Sequence, residues 1–120
     1  MGVRSLIEDA RVENPLIQGE KHTQGAQTLT GAYTVTGAMP DILELDPGGA
    51  SRNVTLPADA VGLRGRVFYI FNSADAAENL VMKQSDGSTT VITIGQGKAG
   101  LVWLSRLVDG TYLWRGLLGS

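Results

Sequence analysis

The chain holds one histidine, His22, and no cysteine, so the side chains that most often act as general base, nucleophile or zinc ligand near neutral pH are almost missing. Ser-His-Asp chemistry would have to run through His22, and there is no Gly-x-Ser-x-Gly elbow to present a serine. His22 lies in a polar stretch ahead of the strand-rich part. Reacting groups must be held within about 0.5 Å of a productive geometry, so a solvated, non-catalytic role is expected.

Gly95-Gln96-Gly97-Lys98-Ala99-Gly100 has the glycines that let backbone N–H groups wrap a phosphate. A Walker loop needs Gly-Lys-Ser/Thr leading into a helix, whereas this segment precedes an apolar strand, so it reads as a Gly-rich hairpin. Carboxylates cluster as Asp41, Glu44 and Asp46 and again as Asp75 and Glu78. Neither group has the alternating spacing of an EF-hand. Nor does any pair stand out as the two carboxyls, about 5–9.5 Å apart, of a glycosidase. Both groups read as solvated strand edges and loops. The expectation is a protein that is not an enzyme and needs no cofactor or metal.

Trp103 and Trp114, with Tyr69 and Tyr112, could form an aromatic platform for sugars or bases. Trp103 belongs to a strand apolar on both faces and is expected in the core. Trp114, between Leu113 and Arg115, is expected to be exposed or interfacial.

Positioning these residues falls to a chain of 120 residues, enough for one domain. It is 42% hydrophobic and only 18% charged, which is too apolar for disorder and short of charge for a free monomer. The ten basic residues are scattered and the net charge is −2, so no nucleic-acid footprint is present. No apolar run approaches the ~20 residues of a membrane helix and no signal peptide is evident, so no membrane partner is expected.

Residues 1–27 carry no aromatic residue and are broken by Asn14-Pro15, Gly19 and Gly25. They read as an N-terminal arm with a short helix over 5–12, capped by Ser5 with Glu8 as its capping-box partner. Residues 28–120 change to short β-branched and aromatic runs punctuated by Gly, Pro, Asp and Asn. About eight strands are expected, near 28–36, 41–46, 52–56, 66–73, 78–84, 89–95, 99–106 and 111–117. Leu29, Tyr33 and Val35 alternate with threonines, as in a strand with one buried face. Val67 to Phe71 and Leu101 to Leu104 are apolar on both faces and require cover from a second sheet or subunit. A helical turn is expected at 58–61. No tandem repeat is visible.

The stretches Ile42 to Gly49, Asn53 to Pro57 and Gly65 to Ser73, continued by Asn79-Leu80-Val81, Val91 to Gly97 and Leu101-Val102-Trp103, resemble virion surface proteins of tailed bacteriophages. The chain looks like a capsid decoration (cement) protein or the β-domain of a fibre. The resemblance implies an all-β, antiparallel β-sandwich or jelly-roll-like domain that forms a homotrimer on the outside of the virion capsid and stabilises it. It implies an arm touching the major capsid protein. Leu6, Ile7, Val12, Leu16 and Ile17 are the candidate capsid contacts, and Tyr69, Phe71 and Trp114 the candidate oligomer contacts. The alternative is a tail or head fibre module binding a host receptor or glycan through Trp114 and loop carboxylates.

Overall fold

A computed structural model describes residues 24–119. The described residues are all-β: nine strands in two mixed sheets, with one 3-10 turn at Val61–Leu63. The strands are β1 (Gln24–Thr28), β2 (Tyr33–Thr34), β3 (Ile42–Asp46), β4 (Arg52–Thr55), β5 (Val67–Asn72), β6 (Leu80–Lys83), β7 (Thr90–Ile94), β8 (Ala99–Arg106) and β9 (Tyr112–Gly119). One sheet has the order β1-β3-β5-β8-β9, the other β2-β4-β6-β7.

From β1 to β6 the chain alternates between the sheets. Within each sheet the successive strands are parallel: β1 on β3 on β5, and β2 on β4 on β6. The first part of the domain is therefore a coil in which each turn adds one strand to each layer. Antiparallel pairing begins only afterwards, with β7 on β6, β8 on β5 and β9 on β8. The antiparallel pattern expected from the sequence is corrected here. Parallel neighbours need a long crossover, usually a helix, and in this chain a strand of the opposite sheet fills that place. The segment read as a Gly-rich hairpin does not join paired strands: Gly95 to Lys98 carries the chain from β7 to β8 in the other sheet, whereas Asp109-Gly110 joins the paired strands β8 and β9.

Seven of the expected strands each overlap a single observed one. The stretch 28–36 instead divides at residues 29–32, leaving Thr28 at the end of β1 and β2 beyond. β1 starts at Gln24, so the last residues given to the arm belong to the five-stranded sheet. The remainder of the arm, with the expected helix 5–12, His22 and the candidates Leu6, Ile7, Val12, Leu16 and Ile17, lies outside the described residues. The helical turn expected at 58–61 is a 3-10 turn a few residues later.

Both sheets contribute to one core. Leu43, Leu45, Phe68, Ile70, Val102, Leu104 and Trp114 come from the first, and Val54, Leu80, Met82 and Ile94 from the second. The period-2 alternation produces this directly: β5 buries Phe68, Ile70 and Asn72 and turns Val67, Tyr69 and Phe71 outward. Each large side chain removed from water contributes about 1.5–3 kcal/mol. Two inward positions are glycines. A Cβ at Gly100 would stand 2.9 Å from Ile92 Cδ1, and one at Gly116 would stand 2.8 Å from Ile92 Cγ2. Their missing side chains let β7 close onto β8 and β9.

Two polar residues hold the connections. Asn72 is fully buried; its Nδ2 donates to the carbonyls of Glu78 (2.8 Å) and Ile94 (2.9 Å), and its Oδ1 accepts from the Ala74 N–H (2.9 Å). Arg66 donates to Asp41 Oδ1 at 2.8 Å and to the carbonyls of Gly37 and Met39, with its guanidinium 4.3 Å from the Phe68 ring centre. It ties the link between β2 and β3 to the start of β5.

Candidate assembly surface

The outer face of the five-stranded sheet is where the doubly apolar strands lead. The pairing register aligns Ile42, Tyr69, Leu101 and Leu117 in one row across β3, β5, β8 and β9. Phe71 and Ala99 form a second row with Glu44 and Gly119, and Val67 and Trp103 a third with Arg115. Alternation forces all of these side chains to the same side, opposite to the core. Tyr69 is 52% exposed, Phe71 38%, Ile42 37% and Leu117 60%. Between the ridge of Tyr69 and Phe71 and the side chain of Leu117 runs a groove of about 320 Å³, floored by Ala99 and Gly100.

Scattered exposed apolar residues are ordinary, but a contiguous patch on a sheet face marks an interaction surface. Among the described residues nothing covers this one. The charged residues of these three rows sit at opposite corners: Glu44 at one end of the second row, on β3, and Arg115 at the far end of the third, on β9. Neither forms an ion pair with another described residue.

Tyr69 and Phe71, expected as oligomer contacts, thus lie side by side on this face. Trp114 does not. It is 2% exposed, packs against Phe68 with ring centres 5.9 Å apart, and donates through Nε1 to the Pro57 carbonyl at 2.8 Å. Trp103, expected in the core, is half-buried on the outer face. The two tryptophans exchange their expected places because they lie on adjacent strands whose parity the sequence does not fix: Trp103 pairs with Arg115, and Trp114 with the buried Leu104. Ile42, Leu101, Leu117, Glu44 and Arg115 were not among the sequence candidates. Leu101 had a signal, lying in a run already apolar on both faces; the other four join it through cross-strand pairing, which the sequence does not show.

Several polar groups of the cleft beside Trp114 are engaged within the fold. Gln84 Nε2 donates to the Trp114 carbonyl at 2.8 Å, and Gln84 Oε1 accepts from the Trp114 N–H at 3.0 Å. Asp59 pairs with Arg64 at 2.9 Å; this hydrogen bond lowers the carboxyl pKa and raises that of the guanidinium, which lies 4.3 Å from the Tyr112 ring centre. Asp86 accepts from the N–H groups of Thr89 and Ser88 and from the Thr89 hydroxyl, and these bonds to its charged form lower its pKa to about 2. Asp109 is lowered in the same way by Thr111.

The carboxylates divide differently from the sequence grouping. Asp41 pairs with Arg66, while Asp46 joins Asp75 and Glu78, their oxygens within 4.8 Å of one another. Asp46 accepts from the Gly48 N–H and Glu78 from the Gly49 N–H. Gly48, at φ 76°, must be a glycine, since a side chain there would meet the Leu29 carbonyl oxygen. No described helix is long and apolar enough to cross a membrane. No family model, curated protein or solved structure matches the chain.

Proposed function

We propose that the chain is a structural virion protein that binds the outside of an assembled phage capsid as a homotrimer and stabilises it. The observation that carries this reading is the apolar outer face of the five-stranded sheet. A binding part needs such a surface, and in the cleft beside Trp114 the Gln84 amide and the Asp59 and Asp86 carboxylates are occupied by the fold. The two layers sharing one core would serve as a sandwich-like hub, and residues ahead of β1 as the grip on the major capsid protein. Three weak grips on one hub bind more tightly than one by roughly 10²–10⁴ when all engage together.

The fibre alternative has less support. It relied on Trp114 as a sugar platform, and a ring 2% exposed offers no face for stacking.

The test is co-sedimentation of the full chain with undecorated shells of its virus, followed by reconstruction of the complex. Removing residues 1–23, which stops short of β1, is expected to abolish shell binding while the domain stays folded. A shell that binds the shortened chain as well as the full one refutes the arm's role. A full chain that binds no shell but retains a glycan on an array refutes the capsid reading.

A further inference from the structure

The geometry points to the outer face of the five-stranded sheet as the surface by which copies of this chain join one another, with Glu44 of one copy meeting Arg115 of the next. The inference rests on the reading of the chain as a self-associating part, but not on what that assembly binds.

Three features single out a second copy as the occupant. The first is size. Five strands about 4.8 Å apart, running from five residues in β1 and β3 to eight in β8 and β9, give a face of roughly 19 by 21 Å. Its projected area of roughly 400 Å² becomes larger once the side chains corrugate it. That is about half or more of the ~800 Å² per partner of a standard interface. The second is shape: the Tyr69 and Phe71 ridge and the groove above Ala99 and Gly100 lie next to each other on the same surface. A protruding aromatic pair and a recess of similar scale are what copies of one surface need in order to interlock.

The third is charge. Glu44 is on the β3 side and Arg115 on the β9 edge, opposite in sign and on opposite margins of the apolar rows. Joining the β9 margin of each copy to the β3 margin of the next is a heterologous contact, which closes into a ring if the rotation is right. Three strand spacings separate the two residues laterally by about 14 Å, and four residues along the strand by about 13 Å. They reach the same level in a threefold ring whose strands tilt by roughly 45° to its axis. The apolar rows then face that axis and leave water.

The absence of cysteine makes the test direct. Glu44→Cys and Arg115→Cys are placed together in the full chain. Within one copy these positions lie far beyond the ~7 Å limit for a disulfide between Cα atoms, so mild oxidation can link only different copies. Light scattering on the parent chain is expected to give three times 12.7 kDa, and the double-cysteine chain is expected to oxidise to covalent dimers and trimers. Glu44→Arg and Arg115→Glu are each expected to weaken association at least about tenfold, because like charges then face each other. The two reversals combined restore it. Both sites are at the surface, so circular dichroism should stay unchanged throughout. A monomeric parent at tens of micromolar overturns the proposal, including the case where residues 1–23 cover the face within one copy. So does a trimer that yields no disulfide and ignores both reversals. Loss of shell binding with the trimer intact overturns the capsid reading and leaves this one standing.

Discussion

Gln84 brackets the backbone of Trp114 with a single side-chain amide, donating to its carbonyl and accepting from its N–H. β9 is an edge strand, and the Trp114 groups point away from β8. The amide therefore does what a tenth strand would do at that point, and it blocks the edge to other chains. Gln84→Ala is expected to cost about 1–2 kcal/mol in urea unfolding and to speed exchange of the Trp114 amide hydrogen. Unchanged exchange at Trp114 would show that the bracket is not formed in solution.

Asn72 makes a second prediction. Its replacement by alanine leaves the Glu78 and Ile94 carbonyls and the Ala74 N–H without their partner, at a site with no exposure of its own. Desolvated groups left unpaired cost roughly 1–3 kcal/mol each, so Asn72→Ala is expected to lose about 3 kcal/mol or more. Asn72→Asp should be at least as harmful at pH 7, because the carboxylate would face two carbonyl oxygens. Denaturant midpoints check both.

Gly116 and Ile92 should behave as a coupled pair. A methyl group at Gly116 falls within 2.8–3.1 Å of three carbons of the Ile92 side chain. Gly116→Ala alone is expected to cost about 1–3 kcal/mol by overpacking. In the presence of Ile92→Ala that cost should shrink or vanish. Additive losses in the double variant would place the strain elsewhere.

Asp86 gives a dependence on pH. Its pKa is about 2 in the folded chain, against about 3.9 in an unfolded one. A depressed carboxyl pKa stabilises above the unfolded value and loses that contribution as pH falls through the folded one. Asp86→Asn should therefore lower the melting temperature at pH 6, and the gap to the parent should close between about pH 4 and pH 2. A gap independent of pH would mean the carboxylate charge contributes nothing to the β6–β7 turn.

Most strands were legible in the sequence because short alternating runs and their Gly-containing turns are local signals. Asp86-Gly87 and Asp109-Gly110 fall in the gaps between expected strands, and there the chain turns, with Gly87 and Gly110 at positive φ. The coil was not legible, because its evidence is a match between distant positions of unequal spacing. Gln24 meets Ile42 eighteen residues on, while Ile42 meets Tyr69 after twenty-seven. No fixed period exists to reveal a repeat. For the candidate surface, the two apolar faces of β5 and β8 were evident, and so was the need for something to cover them. Which face was inward was decided by parity across the sheet, which sent Trp114 into the core and Trp103 out.

That unequal spacing has a practical side. The second turn of the coil is longer than the first, yet β3 and β5 pair without a break, because the extra residues leave the coil between β4 and β5. Residues 58–62 are exposed, and Val61 is 78% accessible. Length is thus absorbed at the corners while the ladders keep their register. The same corners are where a foreign peptide could be grafted for display, since they lie on the domain's surface rather than in its core.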